Sequence, residues 1–109
     1  MRIRVYAGQR MLGPGKIELL DLIVRCGSLS AAARQMRMSY MRAWMLVKEI
    51  NLLSARPMVQ LTRGGSTGGK ALVTPFGKKV LRLYQEIERR SRRAASPLGQ
   101  RLLQLLQKD

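Results

Sequence analysis

Histidine does not occur in this sequence, and cysteine occurs once, at Cys26. The usual zinc ligand sets are therefore out of reach, and an intrachain disulfide is excluded. The missing imidazole also removes the commonest general base. No catalytic set, metal or other cofactor is expected, and the chain reads as a non-enzyme. Acids are scarce as well: 6 Asp+Glu stand against 21 Lys+Arg, a formal charge of +15. A compact body of that charge repels itself unless a polyanion is near. Nucleic acid is the first candidate and an acidic membrane surface the second. No apolar run approaches the roughly 18 residues of a membrane span. The N-terminus, from Met1 to Tyr6, alternates charge with apolarity and has no secretory cleavage pattern. A cytoplasmic protein without membrane contact is expected.

What is present is a core. The chain has 109 residues, 46% of them apolar, enough for one ordinary domain. Residues 2–7 alternate with a period of two, which predicts a short strand with Ile3 and Val5 inward. Gly13-Pro14-Gly15 marks a turn and helix entry. A helix is predicted over 16–26. It is apolar on a broad front, through Ile17, Leu19, Leu20, Leu22, Ile23 and Val24, so it should pack on two sides. One side is the core and the other is expected to meet a partner chain. Cys26 falls in this stretch and is expected to be a buried, inert thiol.

Gly27 suits the left-handed cap that ends a helix. Ser28 or Ser30 can cap a second helix over 31–36. After the turn Arg37-Met38-Ser39, Ser39 can cap a third helix over 40–53. Its inward positions at helical spacing are Ala43, Leu46, Val47 and Ile50. Two short helices on so tight a turn must cross steeply, which is the helix-turn-helix pattern. Strands are predicted over 58–62 and 71–73, on either side of the glycine-rich loop 63–70. Strand, loop and strand after a helix-turn-helix make a wing. Thr74-Pro75 reads as N-cap and first residue of a fourth helix running to about residue 95. Ser96-Pro97 is expected to restart a short helix bearing Leu98, Leu102, Leu103, Leu105 and Leu106.

The resulting architecture is mainly α with a small β wing. It is a winged helix-turn-helix over 1–95, with a long C-terminal dimerisation helix and a short helical tail over 96–109. The third helix is the candidate recognition helix. Ser39, Tyr40 and Arg42 stand at its N-terminal end, the part that reaches base edges. Arg42 suits a bidentate contact to guanine. Trp44 either covers the joint between this helix and the wing or lies on a sugar-phosphate strand. Arg63 and Lys70 flank the wing loop, where they can meet phosphates. Gly64, Gly69 and Lys70 share the spacing of a phosphate-binding loop. Ala71 stands where that motif needs Ser or Thr, and a β-like segment follows instead of a helix, so nucleotide binding is rejected. Glu86 and Glu88 lie among arginines and are expected to form local ion pairs.

Gly27-Ser28-Leu29-Ser30-Ala31-Ala32-Ala33, Met38-Ser39-Tyr40, Ala43-Trp44 and Asn51-x-Leu53-Ser54 resemble the N-terminal DNA-binding domain of molybdate-responsive, ModE-type transcription regulators. Gly64-Gly65, Gly68-Gly69-Lys70-Ala71, Val73-Thr74-Pro75-Phe76-Gly77 and Leu83-Tyr84 are similar to that domain too. The likeness covers roughly residues 14–90, and a looser one extends to LysR-type helix-turn-helix domains. It implies a dimeric winged helix with the third helix in the major groove and the wing alongside. Carried over by position, the DNA-facing set is Ser39, Tyr40, Arg42, Trp44, Lys48, Arg63, Thr67 and Lys70. Such regulators sense oxyanion through a separate C-terminal region. With only residues 98–109 after the fourth helix, direct switching by molybdate is not expected.

The expected function is sequence-specific binding of double-stranded DNA by a homodimer that regulates transcription. Dimerisation is expected through the first and fourth helices at Leu19, Ile23, Val80, Tyr84 and Ile87. Two recognition helices would then lie about one DNA turn apart, roughly 34–36 Å, or a multiple of it. The alternative is a sequence-blind nucleoid or RNA-binding protein of the same fold. A partner protein docking on residues 98–109 is a further expectation.

Overall fold

The computed structural model describes residues 2–62 and 69–107. The elements run β1 (Val5–Ala7), β2 (Arg10–Leu12), α1 (Pro14–Cys26), α2 (Leu29–Gln35), α3 (Tyr40–Asn51), β3 (Val59–Thr62), β4 (Lys70–Val73) and α4 (Pro75–Gln107). This is the winged helix-turn-helix with a long last helix.

Local chemistry sets the boundaries of the central unit. Pro14 opens α1, where its missing N–H is no loss. Gly27 closes it at φ 72°, and its N–H donates to the Ile23 carbonyl at 2.9 Å. Ser28, rather than Ser30, caps α2: its Oγ accepts from the Ala31 N–H at 3.1 Å. The Ser39 Oγ accepts from Arg42 N–H at 3.1 Å and caps α3. Between α2 and α3 the backbone turns through Arg37, which holds a left-handed φ of 56°. The Met38 N–H then donates back to the Ala33 carbonyl at 3.0 Å. α2 packs against α3, and their small residues Ala32, Ala33 and Ala43 are buried, which suits a close approach of the two helices.

The wing is tied to α1 and to α4. β3 and β4 pair antiparallel from Val59↔Val73 to Thr62↔Lys70. The Ala71 N–H donates to the Gly27 carbonyl at 3.1 Å, joining β4 to the end of α1. The Thr74 Oγ1 donates to the Pro57 carbonyl at 2.8 Å and accepts from the Gly77 N–H at 3.0 Å. That one side chain caps α4 and fastens it to the entry of β3. Gly77 has no room for a side chain, since a Cβ there would sit 2.4 Å from the Met58 carbonyl oxygen.

Four expectations need correction. The N-terminal strand belongs to a hairpin: β1 pairs with β2 around Gly8-Gln9, with Gly8 at φ 65°. Glycine at the first of two loop residues is a hairpin signal that alternation alone does not register. Val5 lies 41% exposed, and Leu12 supplies the buried contact instead. Cys26 is half-buried rather than buried, with the Gln35 Nε2 at 3.7 Å from its sulfur. The break at Ser96-Pro97 is absent, because α4 runs through Pro97 to Gln107. The surrounding turn is solvent-exposed, so water can take the Arg93 carbonyl that proline leaves without a donor.

The fourth correction concerns α1. It packs against α2, α3, β4 and α4, so its own chain buries Ile17, Leu19, Leu20, Leu22 and Ile23 and leaves Val24 exposed. Leu19, Ile23 and Tyr84, read as faces for a second chain, are 0%, 1% and 2% exposed within this one. Val80 packs half-buried against the same core, and only Ile87 of that set is exposed. The Tyr84 hydroxyl donates to the Ile3 carbonyl and so pins the N-terminal segment to α4. Burial pushes the Tyr84 phenol above its ordinary pKa, and the negative charge of Glu88 adds to the rise.

Candidate nucleic-acid interface

Helix α3 has two faces with opposite tasks. Ala43, Val47 and Ile50 recur at helical spacing and are buried. On the opposite side, Met41, Met45, Lys48 and Leu52 follow at intervals of four, three and four residues, all exposed. Tyr40 and Arg42 flank the first turn and are exposed as well. The Ser39 hydroxyl is engaged in its cap, so its first task is to shape the start of the helix.

Trp44 sits at the border of the two faces. It is half-buried and packs against the core, while the Lys48 Nζ lies 4.4 Å from the centre of its ring. The ring holds the ammonium by a cation–π contact, and Lys48 remains exposed.

The N-terminus of α3 and the wing share one groove. Leu29, Ser30, Tyr40, Leu61, Thr62, Gly69 and Lys70 line a depression of about 350 Å³. It brings Tyr40 and Lys70, far apart in sequence, to a common wall. Lys70 is exposed, and its backbone N–H donates to the Thr62 Oγ1 at 3.2 Å, closing the last pair of the wing ladder. Arg63 and Thr67 lie outside the described residues, as do Gly64, Gly65 and Gly68.

Electrostatics favour an anion here. Among the described residues the ion pairs lie elsewhere: Lys16 with Glu49 at 3.7 Å, Arg25 with Asp21, and Glu86 with both Arg89 and Arg90. The Glu86 pairs are the local pairing expected of that helix. Arg34, Arg37, Arg42, Lys48 and Lys70 are exposed on or beside the helix-turn-helix and wing. No group of three or more metal-ligating side chains occurs among the described residues. No helix described is long and apolar enough to cross a membrane.

One functional residue escapes a reading by pattern. The Asn51 Oδ1 accepts from the Met58 and Val59 N–H groups at 2.8 and 3.0 Å. Its Nδ2 donates to the Val59 carbonyl at 3.0 Å. One amide therefore clamps the last residue of α3 to the first residue of β3. The sequence marks it only as an asparagine closing a helix and as part of the Asn51-x-Leu53-Ser54 run, and its partners are backbone groups seven and eight residues away.

No protein-family model matches the chain. Curated proteins do. MopB of Rhodobacter capsulatus, a molybdenum-pterin-binding protein by name, is 46% identical over 81 residues, 74% of this chain. The transcriptional regulator ModE of Haemophilus influenzae is 35% identical over 78 residues, 72% of this chain. ModE of Escherichia coli, named a DNA-binding transcriptional dual regulator, is 38% identical over 71 residues, 65% of this chain. This chain carries the ModE-type N-terminal winged-helix domain. It spans 30%, 31% and 27% of the lengths of those three relatives, so the likeness concerns that domain. Within the ModE-type domain, the residues that carried the resemblance have tasks that can be named. Ser28 and Ser39 cap helices, Asn51 clamps the wing, and Thr74 with Gly77 seats α4 against β3.

Proposed function

We propose that this chain binds double-stranded DNA sequence-specifically and regulates transcription as a homodimer. In this reading α3 enters the major groove and the wing follows the backbone. The observation that carries it is the outer face of α3. That face has no duty in the core, carries the exposed cations Arg42 and Lys48 on or beside it, and begins at Tyr40, which shares a groove with Lys70 of the wing. Relatives named as transcriptional regulators support the same reading. Regulation would take place in the cytoplasm.

Support for a dimer comes from α4. Ile87, Leu98, Leu102 and Leu105 are exposed and lie on one stripe that continues from Val80. The tail from residue 96 contributes nothing buried to the core through residue 107. A second copy of α4 is the occupant proposed for that stripe, and capture of another protein there is the competing outcome.

Competition binding tests the function. A regulator prefers its site over bulk DNA by about a thousandfold or more, and a sequence-blind protein does not. Arg42→Ala should relax the choice at one base position and cost about 1–3 kcal/mol. Lys70→Ala should weaken all duplexes alike and lower the salt slope by about one. An unchanged binding motif in Arg42→Ala rejects the assignment of that residue.

A further inference from the structure

Met41 and Met45 are out of place for apolar side chains. They are 64% and 50% exposed, and they lie on the side of α3 opposite Ala43, Val47 and Ile50. Neither belongs to the core cluster or to the partly buried residues packed against it. They stand one turn apart, so their thioether chains cover adjacent surface. Both belong to the first half of α3, the half that reaches base edges when a helix lies in the major groove. Arg42 and Lys48, exposed on the same helix, draw a polyanion toward this surface. The apolar feature that a DNA major groove presents is the C5-methyl group of thymine.

We propose that Met41 and Met45 read thymine by packing their side chains on its C5-methyl group, and so act as specificity-determining residues beside Arg42. The inference rests on the DNA-binding reading above and adds a chemical criterion to it. An arginine on the same helix distinguishes guanine by hydrogen bonds, whereas the methionines distinguish thymine by removing a methyl group from water. Methionine suits the task because it is unbranched and polarizable and adapts to an irregular apolar surface.

The test uses the full chain and a duplex obtained by selection from random sequence. The duplex is then resynthesised with deoxyuridine in place of thymine, one position at a time. This change removes the C5-methyl and leaves the hydrogen-bonding edge intact. Taking a methyl-sized group out of water is worth about fourfold in affinity. The wild-type chain should therefore lose about fourfold at each contacted thymine. Met41→Gln and Met45→Gln keep side-chain length and helix propensity. Each should bind the thymine and deoxyuridine forms of its own position equally. Equal binding of all substituted duplexes by the wild type overturns this inference alone. Variants that keep the full thymine-to-deoxyuridine ratio overturn it too. A selection that yields no preferred duplex overturns the regulator reading and this inference together.

Discussion

The near end of α4 and its far end share one amphipathic pattern and meet different surroundings. Near Pro75, the helix buries Gly77, Leu81 and Tyr84 against the winged-helix unit. Toward Gln107, Leu98, Leu102, Leu103, Leu105 and Leu106 are all more than half exposed. The helix has 33 residues, about 50 Å at 1.5 Å each, and the molecule measures 63 × 28 × 23 Å. Its far half thus extends beyond the unit that holds its near half. Periodicity identifies an apolar stripe but does not say whose atoms cover it. The same lesson applies in reverse to α1, whose Leu19 and Ile23 are covered by their own chain.

The largest effect that sharpens this contrast belongs to the near end. Leu81→Ala empties a buried position and should destabilise the fold by about 2–5 kcal/mol. Denaturant unfolding measures it, and a change under about 1 kcal/mol would place Leu81 outside the core. Tyr84→Phe should be milder, about 0.5–1.5 kcal/mol near neutral pH, for the hydrogen bond to Ile3. It also carries a pH signature. The folded state raises the Tyr84 pKa, so it prefers the neutral phenol. That preference is fully present below about pH 10 and is lost as pH rises through the folded value. The variant should lack this share of the alkaline decline, so its deficit against wild type should shrink between pH 8 and pH 11. A constant gap would contradict the shift. At the far end, Leu102→Ala with Leu105→Ala should change monomer unfolding by under about 0.5 kcal/mol. The same pair should move sedimentation toward the monomer. Unchanged self-association would remove the far stripe from the proposed dimer.

Much of the fold was legible because its signals are local. Gly27, Ser28 and Ser39 act on backbone groups within a few residues of themselves, and the alanines between them state how close two helices can come. The glycine-rich loop announces a turn between strands. The wing's attachments were not legible, because Asn51, Thr74 and Gly77 act on backbone seven or more residues away. For the candidate interface, charge and position pointed to Arg42, Lys48 and Lys70, which the structure leaves exposed. The sequence could not separate Trp44 from the core. The inward positions Ala43, Leu46, Val47 and Ile50 already put Met41 and Met45 on the other side of α3, but the degree to which other elements leave them exposed depends on the tertiary packing.

Asn51 has a mechanical consequence. It joins α3 to the wing by three hydrogen bonds to two consecutive residues, while Ala71 and Thr74 hold the other side of the same hairpin. In the proposed DNA-bound arrangement, helix and hairpin base would act as the jaws of a caliper set before any duplex arrives. Such a caliper, with a fixed gap, would measure the width between groove floor and phosphate ridge. A duplex whose groove is pinched or spread would have to deform to fit it, at an energy that depends on its base steps. Discrimination would then extend to base pairs that no side chain touches.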